Sequence, residues 1–179
     1  MEIFFVRHGA THWNSSGKWQ GSTDIELSQN GRNQAFEAAR LLSNENFSVI
    51  YSSPKARTME TAKFIAELTG KEIIQDHRIV ERNMGIFEGK TSDQISSIMG
   101  KEMSVVDIVS CEEPVDGMEP LDAQFKRGRE FLQDLKEKGE DAVVVSHGVM
   151  IGIMLEILTG KDFRYMTVKN CEIIREKVF

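Results

Sequence analysis

Short apolar runs recur along this chain, separated by longer stretches whose apolar residues return at helical spacing. Residues 3–6 form one such run without polar alternation, the pattern of a strand buried on both faces in a parallel sheet. The run stops on Arg7-His8-Gly9, where Gly9 permits a turn that a bulkier residue would resist. Residues 9–27 lack either period and read as a long loop carrying Trp13, Asn14, Trp19, Gln20 and Gly21; loops of this length are often functional. Ser28 reads as the N-cap of a helix that buries Ala35, Ala38, Ala39 and Leu42 and runs to about Ser43. Residues 47–51 read as a second strand ending on Ser52-Ser53-Pro54. There Ser53 as N-cap and Pro54 at the first helical position predict a new helix. Its apolar side is Ala56, Met59, Ala62, Ile65, Ala66 and Leu68, with Gly70 as the stop.

In the second half, residues 72–75 suggest a third strand, and residues 79–89 are irregular, with two glycines and two glutamates. Thr91 predicts a capped helix through Met99, ended by Gly100. Residues 101–118 mix apolar, acidic and turn residues and read as an excursion over the sheet edge with the character of a lid. A helix over Leu121–Lys138 would present Phe125, Phe131, Leu132 and Leu135 to the core. Residues 142–145 are the clearest strand of all, passing through Ser146-His147-Gly148 into an apolar helix, and residues 171–175 predict a final strand. Strands alternating with helices imply an α/β fold, a three-layer sandwich with a mostly parallel central sheet. The expectation is a single domain over residues 1–179 with a short lid-like insertion at roughly residues 90–120.

Composition narrows the function classes. At 179 residues, 40% of them hydrophobic and 28% charged, the chain is ordinary for a globular domain with a sizeable core. A net charge of −6 argues against general affinity for nucleic acid or for anionic membrane surfaces, yet leaves room for a local cationic pocket. Cys111 and Cys171 offer neither a disulfide framework nor zinc-ligand spacing, and a reducing, cytoplasmic setting is expected. No basic segment leads into a long apolar core at the N-terminus, so no signal peptide is expected. The longest apolar stretch, residues 149–158, is broken by Gly152 and Glu156 and is too short to span a bilayer.

Five polar residues then carry the chemistry: Arg7, His8, Arg57, Glu81 and His147. In open α/β sheets ligands collect beyond the carboxyl ends of strands, where these residues are expected to converge. An arginine beside a histidine suits phosphate, because guanidinium forks two oxygens and a neutral imidazole can attack phosphorus. The helix that begins just after His147 adds backbone N–H groups and a dipole favourable to an anion. His12, four residues after His8, would suit a metal pair only on a helix, which Gly9 and the strand-to-loop context disfavour; His77 sits in a polar loop.

Phe5-Val6-Arg7-His8-Gly9-Ala10-Thr11 with Asn14 resembles the Arg-His-Gly signature of the histidine phosphatase, or phosphoglycerate mutase-like, superfamily. Ser52-Ser53-Pro54-Lys55-Ala56-Arg57-Thr58 is similar to its second element, and residues 81–89 to its Glu-x3-Gly-x2-Glu-Gly segment. Val145-Ser146-His147-Gly148 is similar to its distal histidine motif. The resemblance implies that His8 attacks phosphorus and becomes a phosphohistidine, which water then hydrolyses. It implies that Arg7, Arg57 and His147 clamp the transferring group, helped by Asn14 and the Gly148 amide, while Glu81 protonates the leaving oxygen and later deprotonates water. No metal or other cofactor is implied, since the arginines supply the positive charge.

Mutases and phosphatases of this superfamily share the first half of that reaction. Gln20-Gly21 stands where mutases commonly have Thr-Gly, Met84 where they have tyrosine, and Val149 where they have asparagine. The region after the acid segment is short and leans acidic, with Glu102, Asp107, Glu112, Glu113 and Asp116 against Lys90 and Lys101. These departures favour hydrolysis of a small phosphorylated metabolite and resemble the branch of α-ribazole and broad-specificity phosphatases. Gly117-Met118-Glu119-Pro120 departs from that branch, which usually reads Gly-Glu-Ser. Substrate contacts are expected from Gln20, Gly21 and Arg82, with Met84 and Ile108 lining an apolar part. The alternatives are a mutase-type phosphotransferase and a catalytically inactive phosphate-binding regulator.

Overall fold

The computed structural model describes residues 1–113 and 115–178. Five strands form one sheet in the order β3 (Ile73–Gln75), β2 (Val49–Ser52), β4 (Ala142–Ser146), β1 (Glu2–Arg7), β5 (Ile173–Lys177). All neighbours are parallel except β5, which runs antiparallel to β1.

The absence of polar alternation in β1 and β4 has a simple cause: both faces of the sheet are covered. Ile3, Phe5, Ala142 and Val144 face helices α6 (Leu121–Lys138) and α7 (Gly148–Thr159), through Phe131, Leu132, Leu135, Met150 and Met154. Phe4, Val6, Val143 and Val145 face the other layer, α2 (Gln29–Leu42) and α3 (Ala56–Thr69), through Ala39, Leu42, Ala62 and Ile65. Each large side chain so buried contributes roughly 1.5–3 kcal/mol, which makes the doubly covered strands the anchor of the fold. Helices α4 (Ser92–Met99) and α5 (Val105–Val109) stand apart, over a smaller cluster of Met84, Phe87, Ile95, Met103, Ile108 and Cys111.

Four local expectations are corrected. Residues 9–27 contain a helical turn, α1 (His12–Ser15), because Thr11 and Asn14 form a reciprocal capping box. Helix α3 begins after Lys55 with no side-chain cap of its own, and the Asp24 carboxylate accepts from the Ala56 N–H at 2.7 Å instead. On α3 the buried face includes Arg57, Thr58 and Thr61, whereas Leu68 is exposed, so the helix is rotated from its apolar stripe to place polar groups inside. The last strand lies two residues further on than its apolar pattern suggested, since Cys171 occupies a left-handed turn at φ 56°. Among the described residues, no helix is long and apolar enough to cross a membrane.

Candidate active site

Strands β1, β4 and β2 end at one edge of the sheet. Register pairs Arg7 with Ser146 and Ser52 with Val145. The ladder continues one step further: the His8 N–H donates to the Ser146 carbonyl at 3.0 Å and the Ser53 N–H to the Val145 carbonyl at 3.1 Å. His8, His147 and Ser53 therefore stand side by side, with the two imidazole centroids 5.3 Å apart and the rings inclined by 61°.

Backbone contact fixes the turn that follows His8. A Cβ on Gly9 would collide with the Gly31 carbonyl, and one on Gly31 with the Ala10 carbonyl. Glycine is needed here for close approach, since Gly9 is not among the residues with positive φ. The Gly9 N–H donates to Thr61 Oγ1 at 3.1 Å, and the Ala10 N–H to Gln34 Oε1 at 2.9 Å.

His8 Nδ1 lies 2.8 Å from the Gly9 carbonyl. A carbonyl only accepts, so Nδ1 carries the proton and Nε2 keeps its lone pair. Burial, reinforced by Arg57 and Arg7, holds this imidazole well below the ordinary histidine range, so it is neutral at neutral pH. The same causes, burial first and then Arg57, His8 and Arg7, keep His147 neutral. Its Nε2 lies 2.8 Å from Ser53 Oγ, the hydroxyl that the sequence suggested for a helix cap.

Arg57 is 0% exposed, with Nη1 donating to the Thr23 carbonyl at 2.9 Å and Nη2 to the Gly21 carbonyl at 2.8 Å. Arg7 Nη1 donates to the Val168 carbonyl at 2.6 Å. Among the described residues, Arg7 Nε, Arg57 Nε and His147 Nδ1 are buried without a hydrogen-bond partner, as are the amide oxygens of Gln20 and Gln124. A buried unsatisfied donor costs on the order of 1–3 kcal/mol, and more when charged. Two such guanidinium N–H groups at one sheet edge mark a place built for an anion.

Glu81 is placed opposite by two helices. Its Oε2 accepts from the Val149 N–H in the first turn of α7 at 3.2 Å, and its Oε1 from the Arg82 N–H at 3.0 Å and Gln124 Nε2 at 3.4 Å. Arg7, His8, Arg57, Glu81, Asn14, Gln20, Gly21 and Gly148 all line one cleft of about 380 Å³. His147 is fully buried beside His8 and does not line it. Asn14 Oδ1 accepts from the Thr11 N–H at 2.9 Å, so its amide N–H groups are what it has to offer the cleft.

Arg82 is a correction. It is 1% exposed and outside this cleft. Its Nε donates to the Glu119 carbonyl at 2.8 Å, Nη1 to Val109 at 3.1 Å and Nη2 to Cys111 at 2.7 Å. Backbone carbonyls that would otherwise be unpaired draw the guanidinium inward, away from any substrate. Ile108 likewise belongs to the smaller apolar cluster, and it is Val105 and Val109, on the adjoining face of α5, that reach the cleft beside Met84. Trp19 lines the cleft, while His12 and His77 are exposed.

Sequence reasoning assigned no role to Glu88, the second glutamate of the irregular stretch 79–89. Its Oε1 accepts from the Ser22 N–H at 2.7 Å, Ser22 Oγ at 2.9 Å and the Met84 N–H at 3.1 Å. Its Oε2 accepts from the Thr23 N–H at 2.8 Å and from the Thr23 hydroxyl. The loop gathered in this way supplies the carbonyls that hold Arg57. Gly21 sits at φ 76° with the Glu88 carboxylate where a side chain would be, and the sequence signal for this glutamate was its place in the Glu-x3-Gly-x2-Glu-Gly segment.

The chain matches the model of the histidine phosphatase superfamily (branch 1) over residues 3–177. It is 33% identical over 178 residues to phosphoserine phosphatase 1 of Hydrogenobacter thermophilus, covering 96% of this chain and 82% of that protein. It is 38% identical over 160 residues to phosphoglycerate mutase-like protein 4 of Arabidopsis thaliana, covering 87% and 70%. The structure of Bacillus stearothermophilus YhfR superposes with a TM-score of 0.87 at 24% identity, covering 99% of this chain and 91% of that one, which establishes the same α/β architecture. With its mostly parallel sheet, paired histidines and a match spanning nearly all its length, the chain belongs to branch 1 of the histidine phosphatase superfamily.

Proposed function

We infer that this protein hydrolyses a small phosphomonoester through a phosphohistidine on His8. The observation that carries the reading is the pair of buried, unpartnered guanidinium Nε groups of Arg7 and Arg57, two residues that line the cleft with the neutral imidazole of His8. Nonbridging phosphoryl oxygens would satisfy those donors, and they gather negative charge as transfer proceeds. His8 Nε2 attacks phosphorus, the bond from phosphorus to the ester oxygen breaks, and Glu81 gives its proton to that oxygen. Glu81, now a carboxylate, takes a proton from water. The water oxygen attacks phosphorus, the P–N bond breaks, and inorganic phosphate leaves. The Gly9 carbonyl keeps the proton of His8 on Nδ1 throughout.

What favours water as acceptor over a second sugar acid is that the arginine next to Glu81 is buried outside the cleft, each of its three nitrogens bonded to a backbone carbonyl. The test is release of phosphate from p-nitrophenyl phosphate with chelator present, beside His8→Ala. Expected are unchanged turnover with chelator and loss of at least ~10³-fold in the variant, the scale on which covalent catalysis fails without its nucleophile. Turnover that survives His8→Ala refutes the mechanism. Isomerisation of 3-phosphoglycerate outpacing phosphate release, in the presence of a bisphosphoglycerate primer, establishes the mutase instead.

A further inference from the structure

Besides the charged groups, the cleft has an apolar lining. This apolar wall is Met84, Val105, Val109, Val149, Phe163 and Met166. Val105 and Val109 lie four residues apart and so share one face of α5. Val105, the first residue of that helix, is 59% exposed although apolar, and it fronts the cleft. Such an exposed valine contributes little to folding, and a surface of this kind contiguous with a polar pocket is the usual lining of a ligand site.

None of these six wall residues carries a positive charge. Arg82 faces away, as described above. Arg164 lines the cleft but is held by Asp162, with Nε 2.9 Å from Oδ1 and Nη2 2.6 Å from Oδ2. Lys18 remains, at the exposed mouth, its ammonium 5.9 Å from the Trp13 ring centroid. The wall is also held in place. Ser104 and Asp107 cap α5 reciprocally, and the Arg82 guanidinium grips the carbonyls of Val109 and Cys111 from below. At about 380 Å³ the cleft is far larger than a phosphoryl group needs and falls in the range that encloses a ring-sized ligand.

We propose that the substrates of this enzyme are phosphomonoesters of apolar, ring-sized or branched alcohols, whose hydrocarbon part packs on the α5 wall, in preference to short carboxylated phosphoesters. This rests on the hydrolytic reading of the same site. It gives Arg82 a role as a positioning residue that acts through α5 without touching the substrate.

The test compares 2-phenylethyl phosphate with O-phosphoserine and 3-phosphoglycerate, all esters of primary alcohols, so that leaving-group chemistry does not dictate the order. Expected is a kcat/KM at least about tenfold higher for the phenylethyl ester, the discrimination that a few buried methylenes provide. Val105→Asp removes about tenfold from the phenylethyl ester and less than about threefold from O-phosphoserine. An acidic residue at the start of a helix is well tolerated, and the isosteric Val105→Thr gives the same ranking with a smaller effect. A higher kcat/KM for either carboxylated ester, or equal losses for both substrates in Val105→Asp, overturns the proposal. Binding is measured in parallel with the non-hydrolysable 3-phenylpropylphosphonate and 2-amino-4-phosphonobutanoate. If no ester is turned over, hydrolysis fails as the activity, and the order of these two affinities still decides the wall's preference.

Discussion

Glu88→Gln removes one negative charge and leaves the shape of the side chain intact. Both carboxylate oxygens of Glu88 face backbone donors: Oε1 those of Ser22 and Met84, Oε2 that of Thr23. Whichever way the new amide is turned, its NH2 meets at least one N–H that has lost its acceptor. An unsatisfied donor of this kind costs about 1–3 kcal/mol, and the half-buried setting of Glu88 puts the value toward the lower end, about 1–2 kcal/mol. The cost falls on the loop of residues 21–23, whose carbonyls orient Arg57, so a loosened loop means a loosened guanidinium. At ~1.4 kcal/mol per factor of ten, kcat/KM falls about 5- to 30-fold. The assay is hydrolysis of p-nitrophenyl phosphate, with vanadate inhibition reporting the anion cup and thermal unfolding reporting the fold. Vanadate binding should weaken in step with kcat/KM. If kcat/KM and vanadate affinity stay at wild-type values while only the melting temperature drops, Glu88 serves stability alone and its link to Arg57 is refuted. Burial raises the carboxyl of Glu88, but hydrogen bonds from Thr23, Ser22 and Met84 outweigh it and hold the group below the ordinary range. That contribution to stability is present above the ordinary glutamate value and is lost as pH falls through the depressed one.

Arg57→Lys keeps the charge but not the fork that spans the Gly21 and Thr23 carbonyls while aiming Nε at the cup; a loss of at least ~10²-fold in kcat/KM is expected from steady-state kinetics, and a loss under threefold counts against the clamp. His8 and His147 are both buried and neutral in the folded chain, whereas in the unfolded chain they protonate near pH 6.5. Folding stability is therefore full above that pH and declines as pH falls below it, by roughly 1 kcal/mol per pH unit for each histidine. Urea titrations between pH 7.5 and pH 5 measure the slope, and a double His8→Ala, His147→Ala variant with the same slope as wild type removes this explanation.

The anion cup depends on a coincidence of register that no local pattern announces. His8 and His147 are far apart in the chain and come together because β1 and β4 are neighbours whose ladder continues one residue past each strand. Ser53 joins them for the same reason on the other side of β4. Its hydroxyl could serve a helix or a histidine, and only the position of His147 settles which.

What the sequence determined by itself was much of what rests on short-range spacing, though not the helical turn after Thr11 or the start of α3. The unalternating runs of β1 and β4 require cover on both faces, Thr91 and Gly100 delimit α4, and Ser28 starts α2, because hydrophobic period and caps act over a few residues. Arg7, His8 and Arg57 were recognisable by type and by their place after predicted strands, and Glu81 by the motif over residues 81–89. Tertiary structure decided what each guanidinium faces. Arg57 and Arg82 are both buried and both bind carbonyls, yet one keeps an Nε free at the cleft and the other has none. That difference depends on which unpaired carbonyls come within reach after folding, a long-range quantity with no periodic trace in the chain. The role of Glu88, and the fact that Val105 and Val109 rather than Ile108 join Met84 at the cleft, escaped notice for the same reason: their partners lie in the loop of residues 21–23 and around Phe163, segments brought to them only by the packing of the whole.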